Sequence, residues 1–322
     1  MGKIDDVTKE YMSHNEIFAD AFNFFLYGGR QVIKPENLLE RDITEIAIPF
    51  GNQTADSVQR YRDVLKALRI MEDENAVYVL LGAELQANIH YAIPARNMLY
   101  DAINYVQQIS IISRAHQNDS NDGLKGDEYL SRFAKSDKIL PIITLVIYFG
   151  NKMWDGPLSI HDMFESSNET LRKFVPDYNI NLICPAAMSD EDFENLHSGL
   201  RDVLKYIKYS INRKALWDMV NSDDRYKAID RETANVINIV TDSKMTIKEK
   251  EDTVNMCEAI KEIREEGREE GRAAGREEGI EIGSFRMLVK LFRSGKLTAS
   301  SASEEAGISV KEFEERAAAV KL

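Results

Sequence analysis

The stretch 139–150, ILPIITLVIYFG, is almost entirely apolar and rich in β-branched residues. Such a run is stable as a strand covered on both faces, because an exposed face would leave its Ile, Leu and Val side chains in water. It therefore calls for a sheet with helices on both sides. The uncharged run continues to Asn151 and is 13 residues long, short of the roughly 20 that a helix needs to span a bilayer. This reads as a buried strand and not as a membrane segment.

A second apolar run, NAVYVLLGAELQ over 75–86, suits another buried strand, ITEIAIPF over 43–50 suits a third, and NINLIC over 179–184 a short fourth. Residues 13–27 place Ile17, Phe18, Ala21, Phe22 and Phe25 at helical spacing, predicting an amphipathic first helix. After Pro94 a long helical pattern begins with proline in its first turn. In YRDVLKALRI, 61–70, periodicity accepts either a strand or a helix, so Asp63 can lie on either. The expected class is α/β with a mixed central sheet flanked by helices, followed by a helical C-terminal extension. The expected divisions are 1–190, 191–257, 258–283 and 284–322.

The tail runs EEGREEGRAAGREEGIEIG, with Gly267, Gly271, Gly275, Gly279 and Gly283 spaced by four. Each glycine inside a helix costs about 1 kcal/mol relative to alanine. The tail is thus either a charged linker helix or a helix packed on something, and the packed reading implies a homo-oligomer through this segment. Its intervening Glu and Arg exclude a membrane GxxxG pair. Beyond it, 284–322 reads as three short helices turning at Gly295 and Gly307, with Ser309 and Glu312 as a capping box. The last of these is too acidic for a DNA-reading helix, which favours a packing role.

The net charge is −13, from 41 Lys plus Arg against 54 Asp plus Glu. This excludes a uniformly basic nucleic-acid coat but not a local basic island. Cys184 and Cys257 have neither zinc nor disulfide spacing, and the first ten residues lack an apolar export core, so the expectation is a cytoplasmic protein with no membrane contact. The histidines show no metal-ligand spacing; His90 could line a site, although a structural role is the simpler reading.

At the end of the 75–86 run, Glu84 and Gln86 are two apart and face one side of a strand. If Asp63 starts the preceding strand, a hairpin sets its carboxylate beside Glu84. Two carboxylates and a strand carbonyl make an oxygen site suited to Mg²⁺, able to polarise a phosphodiester and activate water. The alternative is a structural ion pair of Glu84 with Arg62, Arg96 or Lys66. Candidate phosphate contacts are Arg60, Arg62, Lys66 and Arg69 around Asp63, and Arg201, Lys205 and Lys208 on one helical face, for which a solvated face is the alternative.

The series RDVLK, AELQ, HYAIPARNMLYDAINY, LPIITLVIYFG with WDGP, and PDYNINLICP resembles the recombination-promoting nuclease and putative transposase family of the PD-(D/E)XK nuclease superfamily, over about residues 10–260. The resemblance implies a restriction-endonuclease-like core with Asp63 on a strand. It implies Asp63 and Glu84 as ligands of Mg²⁺ or Mn²⁺, Glu16 of the first helix as a further acid, and Gln86 where most of the superfamily carries lysine. Glutamine can orient a water but brings no charge, which leaves Lys66 or Arg96 to supply it. The activity implied is a metal-dependent DNA endonuclease in recombination or mobile-element biology. The alternative is an inactive nuclease fold that binds DNA or a protein partner.

Overall fold

A computed structural model describes residues 2–40, 44–47, 58–61, 63–72, 75–119, 123–165, 168–248 and 251–320. They fall into two compact units, Met1–Cys257 and Glu258–Leu322.

The first unit opens with α1 (Lys3–Ser13) and α2 (Asn15–Tyr27), then β1 (Leu38–Glu40), β2 (Thr44–Ala47), β3 (Val58–Tyr61), β4 (Val64–Glu72) and β5 (Asn75–Gln86). Next come α3 (Ile93–Asn118), α4 (Gly126–Ser131), β6 (Ile142–Tyr148), α5 (Glu169–Arg172), β7 (Asn181–Ile183), α6 (Asp190–Glu194), α7 (Gly199–Ser210) and α8 (Arg213–Ser222). β8 (Ile229–Asp230), α9 (Arg231–Thr241) and β9 (Thr253–Val254) complete it. The main sheet has order β1-β4-β5-β6-β7, antiparallel through β1, β4 and β5 and parallel through β5, β6 and β7. The expected mixed sheet is there, with the 139–150 run supplying β6 beside the central β5. In that run every residue from Thr144 to Phe149 is buried.

Both faces are covered. Leu65, Ala67 and Ile142 meet Tyr105 of α3 on one. On the other, Lys66 reaches the backbone carbonyl of Ser13, the Asn15 side chain and, at 5.4 Å, the ring of Phe18 on α2. α3 is laced down β6 turn by turn. Asp101 accepts from the Thr144 hydroxyl at 2.6 Å, Tyr105 accepts from the Ile142 amide at 3.3 Å, and Gln108 exchanges hydrogen bonds with the Leu140 backbone at 2.6 and 3.2 Å.

The first helix expected from the sequence is α2, ended by Gly28 in the left-handed region, φ 60°. α1 precedes it and docks on α9 through Tyr11 and Thr233, whose oxygens are 3.0 Å apart. Gly199 begins α7 here because a Cβ would collide with both hydroxyls. Asp20 of α2 ties α7 to the core: its carboxylate accepts from the His197 amide at 3.0 Å to each oxygen, the Ser198 amide at 2.8 Å and the Ser198 hydroxyl at 2.6 Å. Asp63 departs from expectation by one residue, lying just before β4, which begins at Val64. No described helix is long and apolar enough to cross a membrane.

The second unit is built on α10 (Met256–Arg293), with α11 (Ala299–Glu305) and α12 (Val310–Ala319) folding back after turns at Gly295 and Gly307, φ 72° and 65°. Phe313 and Ala317 of α12 bury against Val289 and Ala302, with Phe285 and Phe292 ringing Phe313 at 5.5 and 5.6 Å. α12 is thus a packing element. The tetrad glycines lie within α10, and nothing stands within 4 Å of where their Cβ atoms would be. Among the described residues of the second unit, nothing else packs on that ridge.

Asp20 is 3% exposed and accepts four hydrogen bonds from three donors. Asp20→Ala should lower the unfolding free energy by about 2 to 4 kcal/mol in urea titration, since it leaves amides at a helix start without an acceptor. Asp20→Asn should cost less, because one acceptor oxygen remains.

Candidate active site

β4 and β5 pair with Val64 opposite Ala83, so the same register sets Asp63 opposite Glu84. Glu84 is fully buried, and Gln86, two residues on, is 8% exposed at the strand end. Asp63 Oδ2 accepts from the Leu85 amide at 2.9 Å, which fixes the carboxylate at the end of β5. Arg96, in the first turn of α3, places Nη2 3.3 Å from Glu84 Oε2 and donates through Nε to the Tyr100 hydroxyl at 2.8 Å. Helix α3 starts at Ile93 with Pro94 in its first turn, which places Arg96 over the strand end.

Asp63, Gln86, His90 and Arg96 line a pocket of about 290 Å³ together with Asp5 of α1, and Glu84 lies buried outside that lining. Burial pushes the Asp63 carboxyl above its ordinary value; the Leu85 amide and the positive charges of Arg96 and Lys9 pull it down, and Asp5 pushes it up. His90 is held by the Ala92 amide, which donates to Nδ1 at 3.2 Å. Asp5 and Lys9 are one helical turn apart on α1 and are not among the candidates read from the sequence. Their signal was present in Ile4, Thr8, Tyr11 and Met12, whose spacing marks the inward face of a helix beginning before residue 13.

Several expected participants are elsewhere. Glu16 is exposed on α2 and does not line the pocket. Lys66 lies three residues after Asp63, so strand alternation turns it to the α2 face, where it is fully buried. Arg96, not Lys66, is the cation beside the carboxylates, and the structural ion pair considered for Glu84 is the one it makes. Arg201 and Lys205 are corrected from a phosphate face to a buried network: Arg201 is 4% exposed and bonds Glu194, Asp202 and Asp223 at 2.6, 3.0 and 2.8 Å, while Lys205 bonds Asp223 at 2.8 Å. Lys208 donates to the Met188 carbonyl at 2.6 Å and lies over the Phe193 ring. Arg62 lies outside the described residues, and for Arg60 on β3 and Arg69 on β4 only the backbone is described.

A sequence model of the family described as "Putative transposase, YhgA-like" matches residues 35–223, more than half of the chain. The chain belongs to the YhgA-like transposase family. Neither a curated protein nor a solved structure matches it. The matched span holds the whole main sheet, α3 and the Asp63, Glu84, Gln86 and Arg96 set of this YhgA-like protein, while Asp5 and Lys9 lie before it.

Mg²⁺ is commonly held by one or two carboxylates with water completing its shell. Asp63 and Glu84 fit that donor set, and a carboxyl pushed up by burial is what a divalent cation would return to the ionised form. Among the described residues no three His, Cys, Asp or Glu side chains form a closed metal cluster.

Because the Asp63 carboxyl is raised in the folded state, its ionisation opposes folding. That cost is absent below the ordinary carboxylate value and fully present once pH exceeds the raised one. In chelator, Asp63→Asn should therefore be more resistant to urea than the wild type at pH 7. The difference should shrink to nothing as pH falls below the carboxylate range.

Proposed function

We propose that this YhgA-like protein is a divalent-metal-dependent DNA endonuclease with a role tied to mobile elements. The observation that carries the reading is the facing pair Asp63 and Glu84 at the end of β5, with Gln86 and Arg96 on the same side. The family's description as a transposase supports a mobile-element role and DNA as the partner, and the PD-(D/E)XK resemblance supports hydrolysis.

Asp63 and Glu84 would hold Mg²⁺ or Mn²⁺, which supplies a polarised phosphodiester and an activated water when bound. The chain's own groups do the rest. The Leu85 amide fixes the direction of the Asp63 carboxylate. Gln86 donates through Nε2 to the Leu85 carbonyl at 3.0 Å, which anchors the amide so that its oxygen can orient a water. Arg96 supplies the positive charge that Gln86 lacks, and its bond to Tyr100 holds it in place as negative charge develops.

A second reading, a non-catalytic module that binds DNA or protein, is favoured by the Arg96–Glu84 pair, which neutralises Glu84 without metal. Plasmid nicking separates them. Purified protein with Mg²⁺ or Mn²⁺ should nick supercoiled DNA, and Asp63→Ala and Glu84→Ala should each reduce the rate at least a hundredfold, given the roughly 10²–10³-fold loss typical for one electrostatic group. Wild-type protein that binds DNA but leaves it intact supports the module.

For the glycine ridge of α10 the partner we propose is a second copy of the chain. Truncation after Lys261 should then lower the number of subunits found by light scattering, and an unchanged number would leave α10 as a linker.

A further inference from the structure

Asn97 is fully buried on α3, and among the described residues neither end of its amide has a hydrogen-bond partner. A buried amide left this way is costly, and the first three turns of α3 otherwise pair their polar groups: Arg96 bonds Tyr100 and Glu84, and Asp101 bonds Thr144 and Tyr178.

The lacing of α3 along the sheet locates Asn97. Tyr105 meets Ile142, in the row of Leu80, and Asp101 meets Thr144, in the row of Gly82. Four helical residues advance about 6.0 Å, and two strand residues about 6.6 Å, so each turn of α3 steps one row along this face. One turn before Asp101, Asn97 comes over the next row, that of Glu84 and Val146. Its neighbour Arg96 reaches the same Glu84 from the side.

We propose that Asn97 is a positioning residue for the Glu84 carboxylate, which it hydrogen-bonds, directly or through one water, when a divalent cation replaces Arg96 as the charge partner. This rests on the metal-site reading given above. Carboxylate ligands need such outer partners to hold their direction, and losing one typically costs 10- to 100-fold in metal affinity. An amide suits the task because it can donate to a carboxylate without adding charge to it.

The test is Mn²⁺ binding by calorimetry on the full chain, with urea unfolding of each protein in chelator. Asn97→Leu removes the amide at similar volume, and Asn97→Ala serves if the leucine is not accommodated. The expected result is at least a tenfold loss of Mn²⁺ affinity, with the leucine variant as resistant to urea as the wild type or more so, because a costly buried amide is gone. Wild-type affinity in a folded variant overturns the inference, as does a loss of affinity matched by a parallel loss of metal-free stability. Glu84→Gln separates the two levels. If Mn²⁺ binding survives it unchanged, the metal-site reading falls and this inference with it. If Glu84→Gln abolishes binding while Asn97→Leu leaves it intact, only the role of Asn97 is lost.

Discussion

Glu84 carries a carboxylate on the central strand of an apolar sheet, fully removed from water, and the arrangement around it follows from that burial. An ionised group in such surroundings demands a charge partner, and Arg96 meets the demand from the first turn of α3. The guanidinium can be there because Pro94 starts the helix at Ile93 and because Asp101, Tyr105 and Gln108 fix the helix along β6. A slip of α3 by one turn would carry Arg96 past Glu84 and break each of those bonds together. The polar contacts of α3 therefore act as a register lock for the site as well as for the fold.

The parts of the fold that were legible in the sequence are those where one signal dominates. The β-branched run gave β6, and the proline at 94 marked the start of α3. NINLIC contained β7. The Glu84 and Gln86 pair followed from strand alternation, and Arg96 was among the partners considered for Glu84. α1 is hard to read in the sequence because its buried side is made of Thr8, Tyr11 and Met12 among charged residues, a weak apolar stripe. Asp5 and Lys9 are hidden along with it. Lys66, three residues from Asp63, is set on the opposite face by strand parity alone.

The basic face of α7 shows what a local pattern cannot say. Arg201, Lys205 and Lys208 do share one side of the helix, as their spacing requires. That side turns inward because Glu194 and Asp223, from α6 and the turn after α8, come to meet it. The acids are as far as 22 residues away in sequence, so only the tertiary arrangement distinguishes a phosphate-binding face from a neutralised one. Several of the cations in this acidic chain are thereby spent on holding its own helices together.

The seating of α1 and α2 has a consequence for the order in which the molecule matures. Asp63 and Glu84 are synthesised early, and their hairpin is local. The anchors of the helices beside them come much later: His197 and Ser198 hold α2 through Asp20, and Thr233 holds α1 through Tyr11. A nascent chain that has emerged only as far as β7 already contains the carboxylate pair and the Lys66 contacts to Ser13 and Asn15, but it lacks the ties from Asp20 to α7 and from Tyr11 to α9. The full set of ties on α1 and α2 is therefore complete only once α9 has been made.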